Sequence, residues 1–270
     1  MAKIGDYEKE KYSLKIKPYS AKTGEILREE QDAAEIINRN KPGSMLKRLQ
    51  MADEMLNLAS NYLVMSAISQ SILNQKDEEA LNDARKSLYK SIIYLEGAVS
   101  DFVDAPISDY EQQLAAIESF SPAQRYQLIK KAGLAIRMLE DAYGDNSKWK
   151  WSFVELEGRY AAVAKNIINL RNVVANSDPR SPNYEPTVLH LKLAKKLLAQ
   201  AADRYRQKYE LTNSRVDDFK KGIAFLSALR RINILTGAHE EAATIKKKLD
   251  IWNNKLLSDM NKQELSPKKK

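Results

Sequence analysis

Cysteine is absent from the 270-residue chain, which excludes disulfides, thiolate metal sites and a cysteine nucleophile. Histidine is almost absent: His190 and His239 are the only two, and neither has the neighbouring histidine three to five residues away that a helical zinc site needs. Both are expected in surface or capping roles. No glycine-rich phosphate loop and no G-x-S-x-G elbow occurs, so nucleotide-loop and serine-hydrolase chemistry have no foothold. The chain holds only nine Gly and eight Pro, several of them clustered at breaks. Nowhere do 18 apolar residues follow one another, and the opening MAKIGDYEKEKY lacks the apolar run of an export signal. No cofactor or metal is expected, nor a transmembrane segment or small-molecule ligand.

What fills the intervals is Ala, Leu, Lys, Glu, Gln and Arg, the vocabulary of helices. Hydrophobic residues at 43% and charged ones at 30% describe a folded chain with a sizeable core. The expected fold is all-α, an elongated, bent assembly of about seven long antiparallel helices and one short one, without a significant sheet. The dividing feature is Asn176 to Pro186, where Pro179, Pro182 and Pro186 remove amide donors and push the preceding residues out of helical geometry.

Taken in order, residues 1–43 read as an amino-terminal arm, extended or partly disordered. Tyr12, Leu14 and Ile16 alternate with polar residues at the period of an extended segment, although Ile26 to Ile37 fits a short helix. Residues 44–176 read as a long-helix bundle. Ser44 is the expected cap of a rod of about 45 Å, and Asp77 caps the next, which folds back as a hairpin. Ser108 and Ser121 each open a capping-box pattern, and Gly144 ends the helix begun at Pro122 in a left-handed cap. One continuous helix is expected from the Trp149 region to Val174. Residues 177–186 form the proline-rich corner, 187–258 a basic helical region with a cap at Asn213 or Ser214, and 259–270 a disordered basic tail.

Net charge is +8, unevenly placed: residues 187–270 carry 19 Lys and Arg against 9 Asp and Glu, leaving 25 against 27 for the first 186. An acidic partner for the last third follows from that imbalance, with a solvated helical face as the plain alternative. The candidate contacts are Lys192, Lys195 and Lys196, which share one helix face, then Lys220, Lys221, Arg230, Arg231, Lys246 and Lys247. Aromatic residues are sparse among them and no recognition-helix signature accompanies them, so nucleic acid is not the expected partner. Trp149 and Trp151 complete the set. Two residues apart on a helix they point about 200° apart, so either one staples the helix start while the other anchors a partner, or both pack beneath the amino-terminal arm. No convergent polar site on irregular elements is evident, and a non-enzymatic protein is expected.

The long rods, the corner S-D-P-R-S-P-N-Y-E-P (177–186) and the following A-A-D-R-Y-R-Q-K-Y (201–209) resemble spirochaete flagellar-coiling proteins over residues 44–258. That resemblance implies a bent all-α protein exported to the periplasm. It implies a place in the sheath around a flagellar filament, with contacts to the filament core and to neighbouring sheath subunits. A BAR-like or other helical scaffold, binding anionic lipid or an acidic protein through its lysine-rich faces, is the alternative. A cytoplasmic location is the alternative to the periplasm, since this chain shows no signal peptide.

Overall fold

The computed structural model describes residues 5–39, 41–144, 147–212 and 215–265. Among them the chain is all-α, 82% helical and with no strand. The cap expected at Asn213 or Ser214, and residues 266–270 of the expected tail, lie outside the described residues. The chain divides into two compact units: Met1–Ser100 with Gln112–Lys150, and Asp101–Glu111 with Trp151–Lys270. The division thus falls at Lys150/Trp151, not at the proline corner, because the helix before that corner and the helices after it share one core.

The first unit contains α1 (Asp6–Asn38), α2 (Ser44–Leu73), α3 (Glu78–Ala98) and α5 (Pro122–Tyr143), with the short α4 (Glu111–Ala116) between the last two. The arm expected over residues 1–43 is instead the 33-residue helix α1, which runs straight through Pro18. Leu14 made the segment look like alternating strand, but Leu14 is exposed. The inward stripe is Tyr12, Ile16, Tyr19, Thr23, Ile26, Glu30, Ala33 and Ile37, at helical period. Its partners are distant in sequence. Ile26 packs on Met55 and Leu58, and Ala33 and Ile37 pack on Met51. Glu30 accepts from Lys90 Nζ at 2.7 Å and from Tyr94 Oη at 2.9 Å. Those contacts offset the roughly 3 kcal/mol that an interior proline costs a helix.

Caps set the remaining boundaries. Gly43, at φ 83°, occupies the cap position of α2; Ser44, expected there, is the first helical residue and is buried without a capping bond. Asp77 accepts from the Ala80 amide and caps α3 as expected. Asn74 at φ 50° turns the α2–α3 joint, whose carbonyls at Gln75 and Asp77 accept from Ser69 and Ser66. Ser121 and Gln124 form the full capping box of α5. The corresponding box at Ser108 does not form: Ser108 Oγ donates to Asp109 and a single 3-10 turn, Ile107–Asp109, precedes α4. Gly144 has positive φ but an extended ψ of 159°, so α5 stops without the left-handed cap. Asp53 with Lys131 and Ser91 with the Ala52 carbonyl fix the α2, α3 and α5 registers.

The second unit contains α6 (Lys150–Asn166), α7 (Val173–Asn176), α8 (Tyr184–Leu211), α9 (Val216–Leu235) and α10 (His239–Leu265). The continuous helix expected to reach Val174 breaks at Asn166, which is fully buried and donates from Nδ2 to the Phe102 carbonyl. Asn169 then accepts from the Arg171 amide, a turn in which asparagine competes with helix. No helix crosses residues 177–183, where Pro179 and Pro182 lie, whereas Pro186, expected to belong to the corner, sits in the first turn of α8, where a missing amide donor costs little. Residues 259–265, expected as part of the disordered tail, continue α10, where Asp259 accepts from Tyr209 Oη at 2.9 Å. Arg204–Glu157, Lys248–Asp203 and Lys195–Thr236 tie α8 to α6, α10 and α9.

One glycine admits a close approach. A Cβ on Gly158 of α6 would stand 2.6 Å from the Tyr205 ring and 3.3 Å from Phe225, and both rings are buried. Gly158→Ala is therefore expected to destabilise by about 1–3 kcal/mol through overpacking. Gly24→Ala in α1, where only the end of Arg28 lies nearby, should stabilise by about 0.5–1 kcal/mol by removing a helical glycine. Urea titration followed by circular dichroism reads both signs, and a shift in the same direction for both would refute this packing account.

Candidate functional site

The chemistry-bearing surface lies on α8, α9 and α10, and a column of aromatic rings holds these helices. Tyr209 stacks on Phe219 at 4.8 Å, Phe219 on Trp252 at 5.5 Å, and Tyr205 on Phe225 at 5.6 Å. Cations extend over the edges of the column: Arg206 and Lys248 lie 5.6 and 4.9 Å from the Trp252 centroid. Lys208 and Lys221 lie 5.9 and 5.5 Å from that of Tyr205.

The cations singled out from sequence separate into two groups. Lys195 donates to Thr236 Oγ1 at 2.9 Å, and burial holds its ammonium below the usual lysine range against the pull of Glu241. Arg231 donates from Nε to Asp104 at 3.0 Å. Arg230 is half-buried with a shielded Nε, and Lys221 lies over Tyr205. Lys192, Lys196, Lys220, Lys246 and Lys247 are exposed, and none of them forms an ion pair among the described residues. The two tryptophans belong to different units. Trp149 precedes α6, so the 200° argument does not apply to it. Its ring contacts are Arg85 of α3, at 4.1 Å, the neighbouring Lys148, at 5.4 Å, and Tyr143 of α5, edge-on at 6.4 Å, with none on α1 among the described residues. Trp151, in the first turn of α6, packs against the α8–α10 core.

A polar cleft of about 550 Å³ opens beside the start of α9. Its cations are Lys208, Arg215, Lys220 and Lys221; its carboxylates are Glu155, Asp217 and Asp218. Asp218, 5% exposed, accepts from Lys208 Nζ at 3.0 Å through Oδ1, while Oδ2 is buried without a hydrogen-bond partner among the described residues. Sequence reading found Lys220 and Lys221 but missed the other five. The one local signal was the Arg215-Val-Asp217-Asp218 run at a helix start, which reads equally well as dipole stabilisation.

The segment Asp101–Glu111 closes the other end of α6. Lys165, 3% exposed, lies 5.6 Å from the Tyr110 ring centroid. Burial pushes its ammonium down to about 8, Arg231 adds to the effect, and Asp104 opposes it. Burial likewise pushes the Tyr110 hydroxyl up to about 12. His190, expected in a surface or capping role, is 3% exposed and not at the surface; its Nε2 stands 3.0 Å from the Ala164 carbonyl. That carbonyl is among the last of α6 and has no partner within the helix, so the imidazole serves it from across the core. His239 is exposed at the first position of α10. Among the described residues no group of three His, Asp or Glu side chains is placed to hold a metal ion, and no helix is long and apolar enough to cross a membrane.

The fold and surface define an all-helical protein of two compact units, the second carrying an unanswered positive charge. The chain belongs to the TP0443 family, whose model matches residues 8–260 and which is named for a Treponema protein, Treponema being a spirochaete. No curated protein and no solved structure matches it.

Lys165 makes stability depend on pH with a definite sign. Between about pH 8 and pH 10 the unfolded chain keeps a proton that folded Lys165 has released, so stability rises with pH across that window. The rise is about 2 kcal/mol over one and a half pH units. Above about pH 10 it reverses, because Tyr94, Tyr110 and Tyr209, held up to about 12 in the fold, keep protons that the unfolded chain has lost. Lys165→Met should be more stable than the parent at pH 7 and should lose most of the rise, Lys195 keeping a smaller part. Urea titrations from pH 7 to about pH 9.5 test this, and a parent curve flat across that range would refute it.

Proposed function

We propose that the protein is a non-enzymatic interaction protein whose second unit grips an acidic protein surface. In this reading it is a subunit of a flagellar filament sheath in the periplasm, binding the filament core and neighbouring sheath proteins. The observation that carries the reading is the set Lys192, Lys196, Lys246 and Lys247, four exposed ammonium groups without an ion pair among the described residues. Their neighbours Lys195 and Lys248 are already committed to Thr236 and Asp203. Stiff helices fixed by packed rings lose little freedom on docking, which favours this surface over a flexible tail as the place of contact. Complementary charge would also speed encounter and discriminate against basic partners. A family named for a spirochaete protein suits a flagellar setting, as does the resemblance noted in the sequence.

The test is co-sedimentation of the full chain with flagellar filaments isolated from a spirochaete, beside the Lys192→Glu, Lys196→Glu, Lys246→Glu, Lys247→Glu quadruple variant. Binding that fades with salt and drops about tenfold or more in the variant is the expected result. Failure to bind filaments removes the sheath reading. Binding only to vesicles of acidic lipid, in a parallel arm, would replace it with a membrane-surface role.

A further inference from the structure

The cleft at the start of α9 combines features that a solvated helix face does not require. It carries charges of both signs, yet only Lys208 and Asp218 are joined by an ion pair among the described residues. Arg215, Lys220, Asp217 and Glu155 stay apart, although long side chains of opposite sign pair readily where geometry permits. Asp218 is nearly fully buried, its Oδ1 is taken by Lys208, and its Oδ2 has no donor among the described residues. A buried acceptor left in that state is uncommon among native polar groups and leaves room for one more donor. The volume, about 550 Å³, is that of a small-molecule site. The supporting helices are held together by Tyr209, Phe219 and Trp252, so the backbone that carries most of these charges is fixed.

We infer that this cleft binds a zwitterion of the amino-acid or short-peptide class, its ammonium group donating to Asp218 and Glu155 and its carboxylate held by Arg215 and Lys220. A simple anion would leave Asp218 Oδ2 unmet and would face Glu155 and Asp217. A simple cation would face four positive side chains. Only a ligand carrying both charges answers both sets. The inference stands apart from the acidic-partner reading, which rests on Lys192, Lys196, Lys246 and Lys247 and fails or holds by a different measurement.

Three matched probes separate the possibilities: glycylglycine, N-acetylglycylglycine, which lacks the ammonium, and glycylglycinamide, which lacks the carboxylate. Each is titrated into the nitrogen-labelled full chain while amide shifts are followed. Glycylglycine is expected to give saturable shifts at residues 208 and 215–221, with about tenfold or weaker binding for either blocked probe. Lys220→Ala, on an exposed side chain, should keep the melting curve and weaken glycylglycine binding about tenfold. Asp218→Asn should do the same to the ammonium contact, with the Lys220 variant as the control should Asp218→Asn unfold. Equal binding of the acetylated probe would make this a plain anion site and overturn the inference, as would equal binding of the amide. So would the absence of saturable shifts with all three probes.

Discussion

The second unit depends on how closely its helix backbones approach at Gly158 and Gly222. The space a Cβ would take at Gly158 is filled by the rings of Tyr205 and Phe225, and at Gly222 by Trp252 and the Ala202 carbonyl. Removing two side chains makes room for large aromatic faces, and those faces bury far more apolar surface than the missing methyl groups would have done. From that follows the column of rings, and from the column a backbone stiff enough to keep like charges at fixed separations. The cleft, the free lysines and the buried Lys165 all hang from the same packed centre.

Much of this was legible in the residues, and what was not has identifiable causes. Caps that act within a few residues, such as Asp77 on Ala80 and Ser121 with Gln124, were readable because both partners are local. The proline corner was readable for the same reason. The first helix was not: its stabilising partners at Met51, Met55, Lys90 and Tyr94 lie tens of residues away, and a single exposed leucine imitated the period of a strand. His190 was misjudged because the carbonyl that needs it belongs to α6, 26 residues earlier. The break at Asn166 was hidden because the cause is the Phe102 carbonyl, again remote.

The candidate site shows the same division. Clusters of adjacent lysines announced a basic surface, but nothing in their spacing distinguished Lys196, which is free, from Lys195, which is tied to Thr236. Pairing across helices decides which charge remains for a partner, and it is written in the fold alone. The aromatic column was equally hidden, since Tyr209, Phe219 and Trp252 belong to three different helices. A carboxylate such as Asp218 reads in one dimension as ordinary helix-start acidity; only the fold reveals that one of its oxygens is buried and has no donor among the described residues.

The allocation of Asp101–Glu111 to the second unit, while the residues on both sides of it belong to the first, bears on biosynthesis. On the ribosome this stretch emerges before any of α6 to α10 exists, so Val103 and Tyr110 must wait, uncovered, for partners more than forty residues downstream. The first unit holds all of its own packing partners before α6 begins, whereas the second needs a strap made in the earlier half. Scission near residue 150 would therefore leave the first fragment with a strap that has nothing to hold and the second with the face beneath that strap laid open.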